Sequence, residues 1–383
     1  MIVRRIEALR LELWAWTCVV PGRACSGNPV QVSKMERAFT GKLKPLLEAI
    51  AERMDLYVPK MVGSEYVYGR YEPGGDVEYN NIRACTPAKE FLFPLRELAA
   101  VFPSPLEPED VKLFAVFGLK ACDLKSIELL DKVFLEGEFA DELYGARRRN
   151  MVVISSDCAD PGESCFCNVL GGEPFATAGF DLNVARVKDG FVIEAGTQKG
   201  RDLLSRDSGL FADVPDALLA ERDKNRAETK DKLGEQNAEY ELAGSVGDIV
   251  AKGHESEVFE EEAATCVECQ ACTRVCPTCH CFYLYDTKQK DYFGKMKMWD
   301  SCMRMGYARV AGGANPRKML GERLRHRMMH KFSYFLERYG VDMCVGCGRC
   351  VDAEAGGVDI RVVLKKLNAE FGGKSKRETE AAI

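Results

Sequence analysis

The chain has 383 residues, which is enough for two or three domains that each bury a core. Its 53 basic and 59 acidic residues leave a net charge of −6, and no basic run is longer than Arg147–Arg149, so a nucleic-acid partner has little electrostatic support. No apolar run reaches about 18 residues, which argues against a membrane span.

Seventeen cysteines set the first constraint on the chemistry. We expect no export signal, because Glu7 and Glu12 interrupt the apolar stretch that follows Arg4 and Arg5. Many cysteines in a chain that is not exported indicate a reducing compartment and metal ligation rather than disulfides. The sequence therefore predicts a cytoplasmic protein.

The N-terminal residues 1–34 show no clear periodicity, and we expect them to form an extension outside the folded domains. A patterned helix is predicted to begin at Met35, because Leu43, Leu47 and Ile50 recur at helical spacing. The first domain is therefore expected to begin at residue 35.

Strands and helices alternate after that helix. Short apolar groups between Leu56 and Tyr71 predict strands joined by turns. Val111–Phe117 and Met151–Ile154 predict two buried strands, and the apolar positions of Leu124–Phe134 predict a helix between them. Strand, helix, strand is the βαβ pattern, so we expect an α/β (α+β) domain over residues 35–245.

Two cysteine-bearing loops follow those two strands. Cys122 comes after the first strand, and Cys158, Cys165 and Cys167 come after the second. The carboxyl ends of parallel strands meet at one edge of a sheet, so these four thiols are predicted to converge there as a further metal site. The alternative is that some of them are only small buried apolar residues.

A charge-rich helical segment at 202–233 and a loose stretch at 244–253 end this half of the chain. We place the domain boundary between residues 245 and 246. The second domain, residues 246–383, carries ten cysteines between Cys266 and Cys350. We predict that it is mainly helical and of the ferredoxin type.

Seven of the ten cysteines follow the spacing of a ferredoxin with two 4Fe-4S clusters. In that spacing three thiolates at steps of three hold one cluster, and a fourth cysteine that precedes a proline crosses to the other cluster. The predicted ligands form a first group of Cys266, Cys269 and Cys272, and a second group of Cys276, Cys344, Cys347 and Cys350.

Zinc is the alternative metal, because paired Cys-x-x-Cys elements also build tetrahedral sulfur sites. Zinc sites usually take two cysteines, a long spacer and two more. Each triplet here offers a third cysteine at the same step, which a cubic cluster uses and a zinc site usually does not. The spacing therefore favours iron and sulfide.

The first group lacks its usual last ligand, because Glu354 stands where the ferredoxin pattern places a cysteine. The candidates for the missing ligand are Glu354, Cys279, Cys281 and Cys302. Without any of them the site would lose an iron and become 3Fe-4S. A carboxylate oxygen is a harder ligand than a thiolate and would make that iron labile.

A long basic helix is predicted from Pro316 to Tyr339, since proline suits the first turn and Gly340 suits the end. Its cations, with Arg327 and Lys331 among them, are expected to balance negative cluster charge or to contact an acidic partner.

The chain resembles the β subunit of soluble hydrogenase/sulfur reductase (sulfhydrogenase) complexes, and it is similar to the iron-sulfur subunit of anaerobic sulfite reductase. The likeness spans about Met35 to Ile360. The segments that carry it are Gly118–Asp123, Cys158–Pro161, Cys165–Cys167, Cys276–Phe282, Trp299–Cys302, Ala311–Gly313, His330–Lys331 and Cys344–Cys350.

The resemblance implies a dicluster subunit that passes electrons between two partners. One partner would be a subunit that binds flavin and NAD(P)H; the other would be a hydrogenase, a sulfur or sulfite reductase, or a heterodisulfide-reductase-type module. The family usually completes the second motif with Cys-Pro, so Glu354-Ala355 departs from it. Residues 1–34 fall outside the likeness.

Three functions follow from these observations. The first is a non-catalytic electron-transfer subunit with two 4Fe-4S clusters and a third at Cys122, Cys158, Cys165 and Cys167 if that site is real. No Gly-x-Gly-x-x-Gly or phosphate loop follows a predicted strand, so flavin and nicotinamide are expected on another subunit. The second is a catalytic sulfite, sulfur or disulfide reductase, and the third is a zinc-stabilised scaffold.

Overall fold

A computed structural model describes residues 36–75, 78–103, 111–288 and 292–373. These residues belong to one compact unit, and the predicted N-terminal extension lies outside them. Within the described ranges, every helix is too short or too polar to cross a membrane.

The described part of the chain contains ten strands and twelve α-helices. The strands are β1 (Arg37–Thr40), β2 (Asp55–Val62), β3 (Glu65–Arg70), β4 (Arg96–Phe102), β5 (Phe114–Leu119), β6 (Met151–Ser156), β7 (Leu182–Val187), β8 (Gly190–Ala195), β9 (Phe282–Lys288) and β10 (Phe293–Trp299). The helices are α1 (Lys44–Ala51), α2 (Ala121–Phe134), α3 (Glu142–Asn150), α4 (Gln198–Arg206), α5 (Asp216–Asn237), α6 (Val246–Lys252), α7 (Val258–Ala263), α8 (Ala271–Arg274), α9 (Leu320–Met329), α10 (Phe335–Tyr339), α11 (Arg349–Asp352) and α12 (Ile360–Phe371).

The larger sheet has seven strands in the order β1-β8-β7-β6-β5-β2-β3. Its four central strands, β2, β5, β6 and β7, are parallel, and the remaining strands pair antiparallel at the edges. Every residue of β5 and β6 is buried, as expected for strands covered on both faces. The predicted βαβ unit is β5-α2-β6, and the α/β class of the N-terminal half is confirmed.

The period of two along β5 divides its side chains between two cores. Ala115 and Phe117 pack with α1, whereas Phe114 and Val116 pack with α2. The carboxyl ends of β5 and β6 consequently lie side by side between these layers. The two loops that carry cysteines begin at this edge.

The first predicted helix begins later than its apolar pattern indicates. Residues Arg37–Thr40 form β1, which pairs with β8, and α1 begins at Lys44. The predicted helix start at Met35 is therefore wrong, although Leu47 and Ile50 are fully buried on the helix as expected. The local apolar pattern could not predict β1, because this strand is formed by pairing with residues more than 150 positions away in the sequence.

The C-terminal half is mainly helical, as predicted. Helices α6, α7, α9 and α12 share one buried core, and Phe166 from the other half of the chain packs into it. A three-stranded sheet, β4-β10-β9, also joins the two halves, since β4 precedes the predicted boundary and β10 follows it.

The predicted basic helix exists but begins at Leu320 rather than at Pro316. It runs through a π-helical turn at His330–Tyr334 and ends at Tyr339. Gly340 ends it with a left-handed φ of 72°, as the sequence predicted. A π-helical turn is rare inside an α-helix and occurs frequently at functional sites.

A buried ion pair connects the two halves at the sheet edge. Arg349 Nη2 lies 2.7 Å from Asp123 Oδ1, and both side chains are almost completely buried. Asp123 also accepts a hydrogen bond from the backbone N–H of Lys120 at the start of α2. The pair therefore links α2 to the loop that carries Cys347 and Cys350.

Replacing Asp123 by alanine should lower the free energy of unfolding by about 3 to 5 kcal/mol, because Arg349 would keep a buried charge without its partner. Anaerobic urea denaturation measures this change. The control is Lys125→Ala on the same helix, which removes an exposed pair with Glu128 and should change stability little. Equal effects of the two substitutions would contradict the assigned role of the pair.

Candidate metal centre

The two cysteine triplets lie on loops with the same backbone path. In the first loop Glu268 and Gln270 have φ values of 55° and 65°, and at the matching positions of the second loop Gly346 and Gly348 have φ values of 63° and 72°. Non-glycine residues rarely adopt such angles. The repeated left-handed turns show that both triplets fold as the same kind of loop.

Close packing explains why the second loop uses glycine at these positions. A Cβ atom on Gly346 would lie 2.5 Å from the Cα of Cys167, and one on Gly348 would lie 2.4 Å from the carbonyl oxygen of Ser164. The N–H of Phe166 also donates to the carbonyl of Gly346 at 2.8 Å. The second loop therefore packs directly on the segment that carries Cys165 and Cys167.

The second group comes together in the structure. Its four cysteines line one small cavity, together with Lys331 and Thr278. Burial raises the pKa of Cys344 to about 12, so this thiol is uncharged at neutral pH unless a cation binds it.

The first group lies on α8 and the loop before it, where Cys272 is buried and Cys269 is exposed. Glu354 lies beside this group: its Oε1 accepts a hydrogen bond from Cys269 Sγ at 3.8 Å, and its Oε2 accepts one from the backbone N–H of Val358 at 2.8 Å. The second bond fixes the carboxylate next to the exposed thiol.

The other three candidates for the missing ligand make contacts of their own. Cys279 forms a hydrogen bond with Cys276 of the second group, and Cys281 forms one with Cys302. Among the residues that the structure describes, Glu354 is thus the candidate that forms a hydrogen bond with a cysteine of the first group.

The third group, Cys122, Cys158, Cys165 and Cys167, lines a single cavity at the edge of the larger sheet. Cys122 lies in the first turn of α2, and the other three lie on the loop after β6. Burial raises the pKa of Cys158 to about 11 and that of Cys167 to about 12. Cys347 of the second group lines the same cavity, so the two groups are neighbours.

Three buried cations surround these thiols. Lys331 Nζ donates to Cys276 Sγ at 3.3 Å, Lys89 Nζ donates to the carbonyl of Cys279 at 2.9 Å, and Arg327 donates to the carbonyl of Cys272 at 3.4 Å. Each side chain is at most 3% exposed. Within the described residues none of the three forms an ion pair with a carboxylate.

A buried charge is costly unless it is paired. Burial lowers the pKa of Lys89 to about 8. Burial also acts to lower the pKa of Lys331, but the neighbouring Cys276 and Cys279 raise it above its ordinary value. Nε of Arg327 is buried and has no hydrogen-bond partner among the residues that the structure describes. The site thus needs negative charge, which sulfur-ligated iron clusters carry, so the residues fit that cofactor.

The thiols of the second and third groups line cavities and do not converge on the position of one metal ion. Among the residues that the structure describes, no three His, Cys, Asp or Glu side chains are arranged to hold a single metal ion. Ligands spread around a cavity suit a cluster, whose corners lie on different sides.

Comparison with known proteins gives two matches. The family model for the 4Fe-4S dicluster domain matches residues 265–358, which include both triplets. Sulfhydrogenase 2 subunit beta of Pyrococcus furiosus is 32% identical over 300 residues, which cover 77% of this chain and 86% of that protein. The chain belongs to the sulfhydrogenase β-subunit family. The predicted family and the predicted dicluster domain are both confirmed.

This member of the sulfhydrogenase β-subunit family contains functional residues that the sequence alone did not reveal. Lys89 lies 190 residues before its contact at Cys279, and Arg83, which is buried, donates through Nε to the carbonyl of Cys347. Neither residue stands in a cysteine motif. In the sequence, each appears only as a positively charged residue in a short segment with few other charges.

Replacing Lys331 by methionine should lower the reduction potential of one iron-sulfur signal, because an electron would enter a negative cluster without the nearby positive charge. A redox titration followed by electron paramagnetic resonance measures this shift. The matched control is Arg338→Met, an exposed cation further along the same helix. If both variants shift the potential equally, or neither does, the contact with Cys276 has no tuning role.

Proposed function

We propose that this chain is an iron-sulfur electron-transfer subunit of an anaerobic oxidoreductase complex. It relays electrons between a subunit that binds flavin and NAD(P)H and a hydrogenase, a sulfur or sulfite reductase, or a heterodisulfide-reductase-type module. Membership in a family of complex subunits supports this role. The structural observation that carries it is that successive groups of cysteines are neighbours: Arg327 lies close to the first and second groups, and Cys347 of the second group lines the cavity of the third.

Contacts link the three groups in a series. Arg327 acts on Cys272 of the first group and on Cys350 of the second. Cys165 of the third group donates from Sγ to the carbonyl of Cys347 in the second at 3.7 Å. The second group is therefore the middle member, with the first on one side and the third at the sheet edge.

Each group has its own ligand set in this proposal. Cys266, Cys269 and Cys272 with Glu354 hold the first 4Fe-4S cluster, and the second group holds the second. The third group holds a further cluster, which explains why thiols from two separate segments of the chain line one cavity. Bound clusters supply one-electron chemistry at sulfur-ligated iron.

The protein's own side chains prepare these sites for that chemistry. Buried apolar residues such as Phe166 and Ile360 keep water away from the second group. Lys89, Arg327 and Lys331 supply positive charge where reduction adds negative charge. Cys269, exposed beside Glu354, places the first group at the surface, where electrons can pass to a partner.

The experiment that tests this function is anaerobic iron and sulfide analysis with dithionite reduction. We expect about twelve irons in a chain with three cubic clusters, and signals that appear on reduction. Cys165→Ala should remove about four irons, whereas Cys85→Ala should remove none, because Cys85 belongs to no group.

Two outcomes would contradict the proposal, and a third would reduce the number of clusters in it. A colourless chain that contains zinc and no iron would indicate a scaffold. Steady turnover of sulfite, sulfur or a disulfide by the chain alone would indicate a reductase. An iron content of about eight that Cys165→Ala leaves unchanged would remove the third cluster but keep the relay through the first two.

Glu354→Ala should free one corner of the first cluster, because the carboxylate beside Cys269 would be lost. On oxidation the variant should lose about one iron per chain and show the signal of a 3Fe-4S cluster in electron paramagnetic resonance. Glu354→Cys restores the usual thiolate and should keep that iron. An Ala variant that keeps all its iron would mean that another side chain completes the first cluster.

A further inference from the structure

Two thiols outside the three groups contact each other. The thiols of Cys281 and Cys302 form a hydrogen bond. Strand pairing brings them together: Phe282 lies opposite Trp299 in the β9-β10 ladder, and the N–H of Asp300 donates to the carbonyl of Cys281 at 2.8 Å. The antiparallel pairing of β9 with β10 therefore holds the segments that carry the two thiols next to each other.

The surroundings of this pair hold its sulfur atoms in place. Cys302 is 4% exposed and belongs to the same buried core as Cys272. Tyr307, which is half-buried, donates from its hydroxyl to Cys281 Sγ at 3.7 Å. The positive charge of Lys89 also acts on Cys281. Tyr307 thus gives Cys281 a polar neighbour that is only half-buried.

The pair also lies between the first two groups. Cys302 shares a core with Cys272 of the first group, and Cys279, two residues before Cys281, forms a hydrogen bond with Cys276 of the second. The pair is therefore adjacent to residues of both groups, as an exchange of electrons with their clusters requires.

We propose that Cys281 and Cys302 form a dithiol–disulfide couple that exchanges two electrons with the iron-sulfur clusters. The proposal rests on the electron-transfer function above. In the oxidising direction both S–H bonds break and one S–S bond forms; two electrons pass singly to two clusters, and two protons pass to water on the side of Tyr307. The S–S bond that forms has a length of about 2.05 Å.

Such a couple has a clear use in a relay. Clusters carry one electron each, whereas a nicotinamide or hydrogen reaction moves two. A thiol pair that takes up or releases two electrons together would store the second electron until the partner is ready for it.

The test is alkylation of the full chain, poised anaerobically at a series of potentials, followed by mass spectrometry. Cys281 and Cys302 should lose their reactivity together, and a peptide linked by their disulfide should appear. The ratio of dithiol to disulfide should change tenfold for each ~30 mV, half the interval of a one-electron centre.

Cys302→Ser should leave Cys281 alkylated at every potential while iron and sulfide stay at wild-type levels. The matched control, Cys85→Ser, should keep the linked peptide. Loss of iron in Cys302→Ser would overturn the proposal, because the thiol would then be a cluster ligand. Alkylation of both thiols at every potential would also overturn it. If wild-type protein contained no iron, the electron-transfer function would be overturned instead. Soluble redox mediators would then set the potential of the thiols and still show whether the disulfide forms.

Discussion

The packing of the second cysteine loop against the loop after β6 is the constraint on which the rest of the structure depends. Gly346 and Gly348 lie so close to Cys167 and Ser164 that even a methyl group would not fit. This contact brings a ferredoxin-like loop to the edge of an α/β sheet. Two thiol groups from distant parts of the chain become neighbours as a result, and the buried pair of Arg349 and Asp123 fixes the arrangement.

Charge explains why these contacts belong to a metal centre rather than to an ordinary core. An apolar interior would not tolerate Lys89, Arg327 and Lys331 without negative partners. Their neighbours are thiols. Burial raises the pKa at Cys272, Cys344 and Cys167, whereas the hydrogen bond with Cys279 and the charges of Lys331 and Lys89 lower the pKa of Cys276. The buried cations and the cysteines become complementary once the thiols lose their protons to bind a cluster, since the bound thiolates and sulfide carry the missing negative charge.

Glu354 gives this chain a feature that its ferredoxin-like motif does not lead one to expect. The carboxylate occupies the place of a thiolate and lies beside the most exposed cysteine of the first group. A carboxylate ligand at the surface and thiolate ligands in the interior would give the clusters of this series different reduction potentials. The direction of electron flow through such a series depends on those differences.

The sequence by itself determined the chemistry. The spacing of Cys266 to Cys276 and of Cys344 to Cys350 predicts clusters, because a cluster imposes its ligand spacing on a continuous loop. Buried parallel strands such as β5 and β6 were equally visible, since continuous apolar runs reflect burial on both faces. The convergence of Cys122 with Cys165 and Cys167 also followed from the βαβ pattern.

Only the tertiary structure decided which side chains meet across long distances. It brought Lys89 to Cys279, Arg83 to Cys347 and Cys281 to Cys302, and it placed the Glu354 carboxylate beside Cys269 of the first group. It also began the first helix at Lys44, after a strand that pairs with β8. The local periodicity of a helix or strand shows which of its faces is buried. It does not show which residues pack against that face, because those residues come from another part of the chain.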